Sequence, residues 1–139
     1  MKYLLDTNII SEIVSKQPNK KVLNFLEENK DNLYLSVITI GEINAGIEKL
    51  EQSKRKVKLK LWLQSLLQKF EDKILNIDIY IMLLWGEISM KLQKNGISIS
   101  IMDCLIASCA IKENMILVTR NEKDFRDIEN LIIINPFKG

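Results

Sequence analysis

Short apolar runs alternate with longer amphipathic segments along the whole chain, and that alternation leaves few folds open. Residues 3–5, 33–36, 74–75, 115–118 and 131–134 read as buried strands. The first helix follows Asp6 and runs to about Ser15. The second takes Pro18 into its first turn and turns Val22, Leu23 and Leu26 inward. A third is expected to start near Thr39, because Thr39-Ile40-Gly41-Glu42 has the spacing of a capping box; Ile43, Ile47 and Leu50 share one face. After a polar break at 51–55, a long helix reaches Phe70 with Leu59, Leu63 and Leu66 facing in. Asp78 can cap the next, whose Ile81, Trp85, Ile88 and Leu92 recur at helical spacing, and Asn95-Gly96 ends it. Ser100-Ile101-Met102-Asp103 opens a mostly apolar, and therefore buried, helix that Asn114 stops. Residues 119–127 form a polar loop or a turn of helix. Strands alternating with helices imply an α/β fold, a parallel sheet with helices on both faces. A chain of 139 residues, 47% apolar and 27% charged, fits one domain over 1–139.

Composition excludes several functions. Histidine is absent, so no histidine acts as base or metal ligand. Cys104 and Cys109 lie on different faces of one helix and read as small buried residues in a reducing, cytoplasmic setting. Asp6 interrupts the apolar start too early for a signal peptide, and no apolar run is long enough to span a membrane. The net charge of +2 permits contact with a polyanion without requiring it. Lys49, Lys54, Arg55, Lys56, Lys58 and Lys60 make a basic run that suits either phosphates or a solvated helix face.

Three strands end in a polar residue: Asp6, Ser36 and Thr119. Parallel strands bring those ends to one edge of the sheet, where ligands of open α/β sheets bind. Glu42 and Asp103 fall in the first turns of helices, and Asp124 or Asn121 follows the Thr119 strand end within one loop. Carboxylates about 4 Å apart repel by several kcal/mol at the effective dielectric of a protein surface. Either some hold protons or a cation sits among them. Oxygen-only ligands select Mg²⁺ or Mn²⁺ over Zn²⁺. Such a site suits phosphodiester hydrolysis. Each acid also has a structural explanation. Asp6 can start a helix, Glu42 and Asp103 can complete capping boxes, and Asp124 can be a turn residue.

Leu4-Leu5-Asp6-Thr7-Asn8-Ile9-Ile10, Ser36-Val37-Ile38-Thr39-Ile40-Gly41-Glu42, Asp103-Cys104-Leu105-Ile106-Ala107, Val118-Thr119-Arg120-Asn121-Glu122-Lys123-Asp124-Phe125 and Asn135-Pro136-Phe137 resemble, block by block and in order, the PIN-domain ribonucleases. The likeness is greatest to VapC toxins of type II toxin–antitoxin pairs and to FitB-like proteins. The resemblance implies a PIN-like three-layer α/β/α sandwich with a mainly parallel central sheet. It also implies an endoribonuclease dependent on Mg²⁺ or Mn²⁺. Asp6, Glu42 and Asp103 match the family's acidic, metal-holding positions. Asp124 matches a fourth acid, while Asn121 stands where some relatives carry another. Thr7, Asn8 and Thr119 match supporting polar positions. Ser100 replaces a proline often seen ahead of the third acid and supplies an N-cap instead. The implied partners are an RNA substrate, a cognate antitoxin, a second copy of the chain, and operator DNA reached only through the antitoxin.

Other readings remain to be weighed. One is a non-catalytic subunit of an operator-binding toxin–antitoxin complex; the retained acids speak against it. A receiver domain lacks here its neighbouring acids after the first strand and its lysine after a late one. A haloacid-dehalogenase-like phosphatase needs a second aspartate where Asn8 stands.

Overall fold

The structure, a computed structural model, describes residues 1–138. The elements in chain order are β1 (Tyr3–Leu5), α1 (Thr7–Ile13), α2 (Lys20–Glu28), β2 (Leu33–Ser36), α3 (Val37–Glu48), α4 (Lys54–Lys69), β3 (Ile74–Leu75), α5 (Ile79–Lys94), α6 (Ile101–Lys112), β4 (Ile116–Val118), α7 (Glu122–Phe125) and β5 (Ile133–Ile134). The strands form one sheet in the order β3-β2-β1-β4-β5, and every pairing is parallel. This is the α/β/α sandwich expected from the alternation.

The strand side chains alternate between two cores. Leu4 and Leu117 face α5 and α6, meeting Ile81, Leu92, Ile106 and Ala110. Leu5, Leu35 and Val118 face α1 to α4, meeting Ile9, Val22, Ile43 and Leu66. β1 is central, so its carboxyl end lies between two neighbours. Leu5 pairs with Val118, and the Asp6 N–H continues the ladder to the Val118 carbonyl at 2.9 Å. Among the described residues, no helix is long and apolar enough to cross a membrane.

Four local expectations are corrected. α3 begins at Val37, not near Thr39: Ser36 is its N-cap, accepting from the Thr39 N–H at 3.3 Å. Thr39 lies inside the helix, fully buried, and its hydroxyl donates to the Leu5 carbonyl at 3.5 Å. The capping box expected for Thr39 and Glu42 is therefore absent. Asn19, not Pro18, starts α2; its Oδ1 accepts from Lys21 and Val22, so Pro18 precedes the helix. Leu23 faces outward, unlike Val22. Part of the basic run is structural as well. Lys56 is only 5% exposed, and its ammonium donates to the carbonyls of Glu48 (3.2 Å) and Leu50 (3.0 Å). A cation is favoured there because α3 ends with unpaired carbonyls and the negative end of its dipole. Lys60 pairs with Glu48 at 3.0 Å on the surface.

Candidate active site

The carboxyl ends of β1, β2 and β4 define the site. Asp6 follows β1 and is 5% exposed. Its Oδ1 accepts from the Thr7 N–H at 2.8 Å, which starts α1, so Asp6 caps the helix as well. Its Oδ2 accepts from the Thr119 hydroxyl at 2.8 Å and from Asn8 Nδ2 at 3.2 Å. Thr119 follows β4 and is fully buried. Asn8 ties the two strand ends together: Nδ2 also reaches Thr119 Oγ1 at 3.3 Å, and Oδ1 accepts from the Arg120 N–H at 3.1 Å. The Asn121 N–H donates to Thr119 Oγ1 at 3.1 Å.

Glu42 sits in the second turn of α3 and is half-buried. The Thr7 hydroxyl donates to its Oε1 at 2.5 Å. Glu42 is thus drawn to the Asp6 loop by a side chain from another element, and no helix cap explains it. Asp103 is different. Ser100 caps α6 and accepts from the Asp103 N–H at 3.1 Å, as the spacing predicts. Its capping role and its place at the site coexist. Asp124 lies on α7 and is exposed; its N–H donates to the Asn121 carbonyl. Asn121 is exposed and makes no side-chain cap to α7.

The electrostatics link the four acids. Burial pushes the Asp6 carboxyl above the usual range, opposed by the Thr119 and Thr7 donors and reinforced by the charges of Asp103 and Glu42. Burial also pushes Asp103 up, opposed by Ser100 and reinforced by Asp124 and Glu42. Asp124 is thereby tied electrostatically to Asp103. Among the described residues, no three acids are arranged to enclose an ion by themselves. Asn135 and Arg120, which carry no site role by sequence, also meet at this edge. Asn135 Nδ2 donates to the Arg120 carbonyl at 3.4 Å and to Glu122 Oε2 at 3.2 Å. Its position just after the last parallel strand was the available signal.

The sequence profile of the PIN domain matches residues 3–131. The chain belongs to the PIN-domain family. This PIN domain is 36% identical to Ribonuclease VapC2 of Rickettsia felis, over 97% of its own length and 98% of the relative's. It is 32% identical to Toxin FitB of Neisseria gonorrhoeae, over 96% of its length and 97% of the relative's. The crystal structure of VapBC2 from Rickettsia felis bound to a DNA fragment from their promoter contains a similar chain. That chain has a TM-score of 0.84 and 35% identity, with 97% of this PIN domain and 98% of that chain covered.

The Thr119 hydroxyl favours the charged form of Asp6. Because burial raises this carboxyl in the folded state, Asp6 favours folding below the ordinary carboxylate range and loses that contribution as pH rises through its folded value. Thr119→Val should therefore cost about 1–3 kcal/mol at neutral pH in EDTA and less in acid. Thr119→Ser should keep most of the stability. Urea melts at the two pH values check this; a loss independent of pH would assign Thr119 to packing alone.

Proposed function

We propose that this PIN domain is a Mg²⁺- or Mn²⁺-dependent endoribonuclease, the toxin of a type II toxin–antitoxin pair. The observation that carries the reading is the Asp6 carboxylate: buried, held by Thr119, Asn8 and the Thr7 N–H, and pressed by Asp103 and Glu42. A scaffold that only binds a partner has no use for such crowding of like charge. The relatives' names, Ribonuclease VapC2 and Toxin FitB, support the same reading.

The donor set fits a hard divalent ion. It is all oxygen, and Cys104 is fully buried. Mg²⁺ keeps several waters and needs only one or two carboxylates plus substrate phosphate oxygens, so the lack of a three-acid chelate is no obstacle. When bound, such an ion polarises the phosphate and lowers the pKa of a water. Asp6, Glu42 and Asp103 would hold it. Thr7 fixes Glu42, and Thr119 with Asn8 fixes Asp6, so both carboxylates meet the substrate in set orientations. Asp124, on the rim, adds charge that offsets the ion's.

Asp6→Asn should keep the fold and abolish cleavage of RNA, and EDTA should abolish cleavage by the wild type. Single-stranded RNA incubated with each protein, purified free of other nucleases, gives the result. Undiminished cleavage by Asp6→Asn would contradict the assignment.

The partner side of the proposal is a cognate antitoxin that contacts operator DNA on the pair's behalf and places an Arg or Lys over the acids. It also includes a homodimer. Ile79, Met82, Leu83 and Met90 form an exposed stripe on α5, continued by Ile101 and Met102 at the start of α6. Gly86, Met90 and Ile101 line a depression of about 460 Å³ beside it. The neighbouring Trp85 indole N–H is buried without a hydrogen-bond partner among the described residues. Light scattering at micromolar concentration should give a dimer, and Met82→Glu should split it; a wild-type monomer would contradict this part.

A further inference from the structure

Arg120 directly follows Thr119, whose hydroxyl holds Asp6, yet neither the fold nor the acids account for its side chain. Its backbone is fixed on both sides: the N–H by Asn8 Oδ1 at 3.1 Å, the carbonyl by Asn135 Nδ2 at 3.4 Å. Its guanidinium carbon lies 4.5 Å from the centre of the Phe137 ring. Phe137 is itself held in place. Its N–H donates to Asn135 Oδ1 at 3.0 Å, and its ring packs against the core that contains Leu5 and Val118. Lys138, the next residue, pairs with Glu122 at 2.6 Å. The carboxylate nearest in sequence to Arg120 is thus engaged by another cation and by Asn135. Among the described residues Arg120 is in no ion pair and remains exposed.

A guanidinium whose carbon lies 4.5 Å from a ring centre is occupied on that side by the ring. The other face and the in-plane N–H donors stay available. Those donors suit phosphate oxygens, and the flat, weakly hydrated face suits an unpaired nucleobase. Phe137 gives the Arg120 side chain a partner that is not a carboxylate. We infer that Arg120, braced on Phe137, is a stacking platform for an unpaired base of the RNA strand entering the acidic site. It is a substrate-positioning residue, and the inference rests on the ribonuclease reading above.

The test is binding of labelled single-stranded RNA to the full chain in EDTA, read by fluorescence anisotropy. The RNAs form a panel, each with one abasic nucleotide at a different position. Arg120→Ala should weaken binding of the intact RNA roughly tenfold without changing the melting temperature. Arg120→Lys, which keeps the charge and loses the plane, should weaken it nearly as much. One abasic position should weaken the wild type to the same degree and remove the difference between wild type and Arg120→Ala. Full binding by Arg120→Lys would overturn the platform in favour of a simple phosphate contact. Unchanged RNA binding by Arg120→Ala, or a loss confined to antitoxin binding, would overturn it while leaving the ribonuclease reading intact. A wild type that neither binds nor cleaves any RNA would overturn both.

Discussion

The structure depends on one carboxylate kept inside the protein at the end of the central strand. Asp6 follows β1, which lies between β2 and β4, and is only 5% exposed. A buried charge is tolerated only when its lone pairs are met. The residues around it are arranged for that: Thr119 from the next strand, Asn8 from the first turn of α1, and the Thr7 N–H at the helix start. The same Thr7 extends its hydroxyl to Glu42, so one helix start positions two acids. The topology and the site are therefore one problem. A sheet in which β1 and β4 were not neighbours would not place a β4 hydroxyl on the β1 acid.

This arrangement costs stability. Burial and neighbouring negative charges both raise Asp6 and Asp103. A protein selected for stability alone would replace one of them with an amide. On the proposed reading, a cation or a positively charged partner segment at the site offsets that cost. Lys56 shows the opposite solution elsewhere in the chain. There a buried cation is satisfied by two carbonyls at the end of α3 and needs no ligand.

Most of the architecture was legible in the sequence because its signals are local. The helical spacing of Ile81, Trp85, Ile88 and Leu92, the Asp78 cap of α5 and the Ser100 cap of α6 all follow from residues within a few positions. The convergence of Asp6 and Thr119 was legible because parallel strands ending in polar residues must end on one edge. What stayed hidden depended on distant partners. Ser36 and Thr39 are both good caps three residues apart. The choice between them rests on where β2 ends and on a Thr39 contact with Leu5, 34 positions away. Local spacing also lets Glu42 complete a capping box, whereas its actual donor, Thr7, is 35 positions away. Asn8 fits a polar helix start by sequence, yet two of its contacts reach 111 and 112 positions along the chain. Lys56 reads by sequence as part of a basic run for phosphates or a solvated helix face, because nothing near it announces the carbonyls it caps.

On the proposed reading, Glu42 is held at the site for its charge, not for the helix. Melting curves of wild type and Glu42→Gln, in EDTA and in excess Mn²⁺, test it most directly. The amide can still accept from the Thr7 hydroxyl, so Glu42→Gln should match the wild type in EDTA or exceed it by up to about 1 kcal/mol as repulsion is relieved. A ligand present at 100 times its dissociation constant stabilises by about 2.7 kcal/mol, and the wild type should show a rise of that order in Mn²⁺ while Glu42→Gln shows much less. A variant that melts well below wild type in EDTA, yet gains as much from Mn²⁺, would contradict the account and make Glu42 a structural residue.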